Sequence, residues 1–136
     1  MHHTKTKGDL GVLKAQVDLF EQGYMILLPQ TEHAPFDLCI YKEGQFKRVQ
    51  VKYRAVDSRG SVTIHFRSSW ADRHGIHENS VNKEEIDIYC IYVPQMDRCY
   101  YFDPKRFNRS VTLRVEAPRN NQKAGVKLLE DYRRVP

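Results

Sequence analysis

The sequence predicts an α/β sandwich, with a mixed central sheet flanked by helices. Three observations carry this expectation. One segment near the N-terminus has helical apolar spacing, a succession of short strand-like segments follows, and a smaller helical segment lies near the C-terminus. The 136 residues suit a single core, and no repeat, low-complexity tract or linker divides them, so residues 1–136 are expected to form one domain.

From Asp9 to Gln22, Leu10, Leu13, Val17 and Phe20 recur at three- and four-residue steps, which predicts a helix with those side chains toward the core. Asp9 suits its N-cap and Gly23 its stop. Tyr24–Leu28 reads as a short buried strand ended by Pro29. Asp37–Tyr41 is a second strand, and a turn at Lys42–Gln45 returns the chain into Phe46–Arg54. There Val49, Val51 and Tyr53 alternate with Arg48, Gln50, Lys52 and Arg54, so the two sets face opposite ways. Ser61–Arg67 carries Val62, Ile64 and Phe66 on one side. Ser68–Lys83 is expected to be a long polar loop holding Trp70, Arg73, His74 and His77. Ile86–Val93 is continuously apolar, as in a strand buried on both faces, and Cys99–Phe102 should pair with it through a turn at Gln95–Asp97. Asp103-Pro104 starts a short helical turn, Val111–Val115 is a last strand, and Gly125–Arg133 is expected to be a helix presenting Val126, Leu129 and Tyr132.

Composition narrows the function. Hydrophobic residues at 40% and charged residues at 29% describe a globular chain. No apolar run approaches the roughly 20 residues of a membrane span, so no membrane partner is expected. No secretory signal is visible, and a cytoplasmic location is expected. Three cysteines, Cys39, Cys90 and Cys99, lack the paired spacing of zinc sites and read as small buried hydrophobes. His74 and His77 have no further ligand nearby in sequence. Lys and Arg outnumber Asp and Glu by 22 to 17, which favours a polyanionic partner. Lys47, Arg48, Lys52, Arg54, Arg59, Arg67 and Arg73 cluster in the central stretch, and most alternate with apolar residues as if lining one side of a sheet.

The pattern that carries chemistry is Pro35-Phe36-Asp37 followed by Gln50-Val51-Lys52. Residues i and i+2 of a strand share a face, so Gln50 and Lys52 project together, and a hairpin at Lys42–Gln45 brings Asp37 near residue 50. A carboxylate, an amide oxygen and the Val51 carbonyl are hard ligands suited to Mg²⁺ or a similar dication. Lys52 beside them can orient a water or offset charge on a phosphate. An aspartate ahead of a strand and a Gln/Lys pair on a wet strand face are also common surface features. The hairpin setting and the basic surroundings favour the chemical reading.

These residues resemble the PD-(D/E)XK nuclease core of restriction enzymes and Holliday junction resolvases, with Gln50 in the middle acidic slot. Lys7-Gly8-Asp9-Leu10-Gly11, the helix end at Gly23-Tyr24 and Arg119-Asn120-Asn121-Gln122-Lys123-Ala124-Gly125 resemble one branch more closely, the group I intron-encoded homing endonucleases of this fold found in cyanobacteria. The resemblance implies a PD-(D/E)XK restriction-endonuclease-like fold and site-specific double-strand breaks in DNA by metal-dependent hydrolysis. It implies Asp37, Gln50 and Lys52 as catalytic residues, with Asp37, Gln50 and Val51 as ligands of Mg²⁺ or another divalent cation. Lys47, Arg48, Arg54, Arg59, Arg67, Arg73 and His74 become candidate contacts to double-stranded DNA. The implied assembly is a homodimer or homotetramer, since so short a chain cannot span a long target alone. Two positions depart from the family pattern. Gln50 is a neutral ligand, and Val12 stands where such nucleases carry a first-helix glutamate. Alternatives on the same fold are a junction resolvase, a restriction-type nuclease, or a DNA-binding protein that has lost catalysis.

Overall fold

The computed structural model describes residues 4–80, 84–117 and 125–136. Among the described residues, one helix, α1 (Thr4–Glu21), precedes nine strands: β1 (Met25–Leu27), β2 (Leu38–Lys42), β3 (Gln45–Tyr53), β4 (Ser61–His65), β5 (Arg67–Asp72), β6 (Gly75–Ser80), β7 (Ile88–Val93), β8 (Arg98–Phe102) and β9 (Ser110–Arg114). Short 3-10 turns cover Pro104–Arg106 and Leu129–Tyr132.

The main sheet runs β1-β2-β3-β7-β8, and it is mixed as expected. The β3–β7 pair is parallel, and the other neighbours are antiparallel. β7 is central and all six of its residues are buried, in accord with its uninterrupted apolar sequence. A core layer between α1 and the sheet contains Ala15, Leu19, Leu38, Ile40, Val49 and Val51. On the opposite face, Tyr89, Ile91, Tyr100 and Phe102 pack against Val62, Ile64 and Leu113 of the β4–β9 ribbon and against Leu129. Tyr89, Tyr100, Tyr101 and Phe102 are almost fully buried, and each such side chain contributes on the order of 1.5–3 kcal/mol. One long helix therefore covers one face, while a ribbon and a 3-10 turn cover the other.

Several expectations are corrected. The helix begins at Thr4, which places Asp9 inside it and not at its cap. Its sheet-facing residues are Gly11, Ala15 and Leu19, whereas Leu13, Val17 and Phe20 are exposed. Small side chains let the helix lie close: a Cβ on Gly11 would stand 3.6 Å from Val51 Cγ1. β1 is an edge strand with Met25 and Leu27 exposed, not a buried one. The expected loop at Ser68–Lys83 is a β5–β6 hairpin paired from Arg67↔Ser80 to Asp72↔Gly75, with 81–83 outside the described residues. The C-terminal helix is reduced to the Leu129–Tyr132 turn, because the preceding residues extend along β9, with Arg114 N–H donating to the Lys127 carbonyl at 2.8 Å. Arg119–Ala124 lie outside the described residues.

Candidate active site

The β2–β3 hairpin closes through Glu43 and Gly44, both with positive φ (53° and 83°), in the turn sense that matches strand twist. Pairing runs from Lys42↔Gln45 back to Leu38↔Val49. Asp37, just ahead of β2, donates its N–H to the Val49 carbonyl at 2.9 Å. Its Oδ2 accepts the Val51 N–H at 2.7 Å. A side-chain carboxylate thus continues the ladder where β2 has ended. The N–H and C=O of one strand residue face the same neighbour, so the Val51 carbonyl opens toward Asp37.

Gln50 and Lys52 project from the face opposite Val49 and Val51, and both are half-buried. Among the described residues, Gln50 Oε1 is the one buried side-chain oxygen or nitrogen that lacks a hydrogen-bond partner. Leaving such an atom unmatched costs about 1–3 kcal/mol. Tyr89 stands opposite Gln50 in the parallel ladder and closes the site's inner side.

Burial pushes the Asp37 carboxyl above the usual carboxylate range, and the Val51 N–H and the Lys52 charge only partly oppose it. Burial also pushes the Tyr89 hydroxyl up to about 12, against the pull of Arg54, with Asp37 adding to the rise. Arg54, Tyr89 and Asp37 therefore share one electrostatic neighbourhood. Arg54 is held there by donating from Nη1 to the Tyr53 carbonyl at 2.9 Å.

A divalent cation fits these residues. The desolvated Asp37 carboxylate and the unmatched Gln50 oxygen are both groups that a hard cation would stabilise, and the Val51 carbonyl faces the same side. Among the described residues, no three His, Cys, Asp or Glu side chains gather into a metal cluster. A cation here would rest on one carboxylate, one amide and the main chain. The larger surface grooves lie elsewhere. One of about 670 Å³ is lined by Asp18, Glu21, Glu130 and Asp131 together with Arg133 and Arg134, so its charges are mixed with acids in excess.

The family model for PD-(D/E)XK endonuclease matches residues 2–135. The chain belongs to the PD-(D/E)XK endonuclease family. A solved structure described as a bacterial homing endonuclease, I-Ssp6803I, matches this PD-(D/E)XK chain with a TM-score of 0.80 and 24% identity. That match covers 97% of this chain and 89% of the other, and it shows a shared fold. No curated protein matches the chain.

The basic residues divide. Lys52, on β3, acts on Asp37, and Arg54, just past the strand, acts on Tyr89. Arg48, on the same face, is engaged bidentately by Asp87, with Nε and Nη2 donating at 2.9 and 3.0 Å. That bond holds the Asp87 carboxyl below its ordinary value. Lys47 points the other way, and its Nζ donates to the Pro136 carbonyl at 3.0 Å. Arg59 is exposed between β3 and β4, and Arg67 opens β5. Arg73 and His74 are exposed at the tip of the β5–β6 hairpin. The basic set therefore spreads over a sheet face, a loop and a hairpin, and does not line one sheet side. Val12 is half-buried beside Gly11, packed against the core layer that contains Val51. Sequence reasoning missed Tyr89 and Asp87. Their one signal was a tyrosine and an aspartate at the mouth of a buried strand, which gains meaning only from the parallel register.

Among the described residues, no helix is long and apolar enough to cross a membrane.

Proposed function

We propose that this chain is a site-specific homing endonuclease that breaks both strands of DNA by metal-dependent hydrolysis. What supports the reading is a desolvated carboxylate, Asp37, bonded to the Val51 N–H, with the unmatched buried oxygen of Gln50 one residue before Val51 and Lys52 one residue after it on the same strand. Asp37, Gln50 and the Val51 carbonyl would hold a divalent cation such as Mg²⁺, which when bound supplies Lewis-acid polarisation of the scissile phosphate and a more acidic water. Lys52 orients the attacking water and offsets charge on the phosphate as the new P–O bond forms and the old one breaks. Arg54 and Tyr89 bound the site on its inner side. Lys47, Arg48, Arg59, Arg67, Arg73 and His74 remain candidates for the DNA footprint, with Arg48 needing to leave Asp87 or bind through its outward edge. The homing role follows the resemblance and the name of the solved relative, and a homodimer or homotetramer would supply two active sites for two strands. Val12, in place of a first-helix carboxylate, makes this a weakened catalyst.

Single-turnover cleavage of duplex DNA by Asp37→Asn and Lys52→Ala tests the assignment. Cleavage should vanish in both variants while duplex affinity stays near that of the parent. Cutting at close to the parent rate by either one means the site has been misplaced.

A further inference from the structure

Arg48 is tied to Asp87 through both main chain and side chain. Asp87 Oδ2 accepts from the Arg48 N–H at 2.8 Å and from its Nε at 2.9 Å, and Oδ1 accepts from Nη2 at 3.0 Å. The Asp87 N–H donates to the Arg48 carbonyl at 3.0 Å, just ahead of the point where β7 joins β3. A carboxylate along the Nε–Nη2 edge of a guanidinium leaves the other N–H of Nη2 and both of Nη1 pointing away as a second fork. Among the described residues Nη1 has no hydrogen-bond partner, and the Arg48 side chain is 37% exposed.

That free fork stands beside the candidate active site. Arg48, Gln50 and Lys52 alternate along β3 and share one face. On this face the β4–β9 ribbon packs over β7 and β8, whereas Phe46 is exposed and Cys39 and Tyr41, the β2 partners of Arg48 and Phe46, are half-buried. The half of the face built from β2 and β3 is thus open beside the ribbon.

We propose that Asp87 is a positioning residue for Arg48, whose free fork takes two oxygens of the DNA phosphate next to the scissile one. The proposal rests on the assignment of Asp37, Gln50 and Lys52 to the scissile phosphate. Arg48 lies about 6.6 Å along β3 from Gln50, so a DNA strand that follows the row meets both. Charge alone does not account for the arrangement, because Asp87 and Glu85 both act on the guanidinium and offset it. Pinning β3 to β7 does not account for it either, since the two bonds to the Arg48 main chain already do that. What the side-chain bonds add is order. A long side chain that would otherwise sample many rotamers is held in one before DNA arrives.

Duplex affinity, measured without metal on a mixed-sequence DNA, tests this without requiring cleavage. Removing an acid from a DNA-facing surface tightens binding if charge alone matters. Asp87→Asn should instead weaken it by about three- to tenfold, the effect of having to order one long side chain on binding. In an Arg48→Ala background the same substitution should weaken nothing, since Asp87 acts through Arg48. Arg48→Lys keeps the charge without the fork and should bind more weakly than the wild type. On a duplex that the wild type cuts, a methylphosphonate next to the cleaved bond should weaken the wild type and leave Arg48→Ala unaffected. If Asp87→Asn binds as tightly as the wild type or more so, or weakens binding equally with and without Arg48, the proposal is overturned. Equal sensitivity of the wild type and Arg48→Ala to the methylphosphonate overturns the phosphate as the ligand of the fork. These results leave the nuclease reading standing wherever the wild type still binds and cuts DNA, whereas a wild type that binds no duplex removes both.

Discussion

Replacing Gln50 by leucine should make the metal-free protein more stable and the metal-loaded protein less so. The side chain is half-buried on β3, and its Oε1 is buried with no partner among the described residues. An unmatched buried acceptor costs about 1–3 kcal/mol, and leucine removes that cost while keeping similar volume. Allowing for imperfect packing, the expected gain is about 1–2 kcal/mol. For a chain of 136 residues that corresponds to a rise in Tm of about 3–10 °C. The cation reverses the order, because a ligand at a hundred times its Kd adds about 2.7 kcal/mol to the state that binds it. The wild type should gain that amount in excess Mg²⁺ or Ca²⁺, and Gln50→Leu should gain little. Thermal unfolding by calorimetry, with and without the cation, measures both effects, and the two proteins should exchange rank. If Gln50→Leu is less stable without metal, or gains as much from the cation as the wild type, the oxygen is not an unmatched ligand and the metal assignment loses its main support.

The raised Asp37 carboxyl gives a pH signature. An acid whose folded value lies above its unfolded one binds more protons when folded, so its contribution to stability falls as pH rises between the two values. Metal-free Asp37→Asn should therefore match the wild type in acid and exceed it above that window, as chemical denaturation at several pH values would record. Cleavage by the wild type should decline on acidification while ordinary carboxylates are still ionised, because the ligand form is the carboxylate. Val12→Glu should lower the Mg²⁺ needed for half-maximal cleavage by on the order of tenfold and raise the single-turnover rate. The half-buried setting should cost about 1 kcal/mol in stability, and an unchanged metal requirement would mean that Val12 serves only the core. Duplex affinity should fall with salt at a log–log slope of about −0.9 per phosphate contact. Arg59→Ala and Arg73→Ala should each reduce that slope by about one, and a slope unmoved by either removes that arginine from the footprint.

The hairpin that carries the candidate site was legible because its parts are local. Asp37 and residues 49–52 belong to one hairpin, and the alternation of β3 sorts Gln50 and Lys52 from Val49 and Val51 without any distant information. The condition of those residues was not legible. The burial of Gln50 and the rise of Asp37 depend on β7 and on the second core layer, which arrive from far along the chain. The helix was found, but its inner face was misassigned, since small residues at Gly11 and Ala15 carry no hydrophobic signal and the larger apolar residues drew the reading outward. The β5–β6 hairpin escaped because Ser68-Ser69 and His77-Glu78-Asn79-Ser80 lack an apolar alternation to mark them as strands. The C-terminal segment shows the opposite failure, in which tertiary contact with β9 overrides a helical pattern.

The parallel pairing of β3 with β7 also sets an order of assembly during folding. The β2–β3 hairpin closes over two turn residues, so the Asp37–Val51 contact can form on the microsecond scale of hairpins. The Val49↔Ile88 register must wait for a much longer loop to close, and that entropy is spent before the contact rewards it. On the proposed metal assignment, a chain in which only the hairpin has formed would have Asp37 and Val51 aligned but still wet, with Tyr89 absent, and tight binding of a cation would follow only when β7 docks, late in folding. Substitutions at Gly44 should slow refolding, whereas those that loosen the β7–β8 face should mainly hasten unfolding.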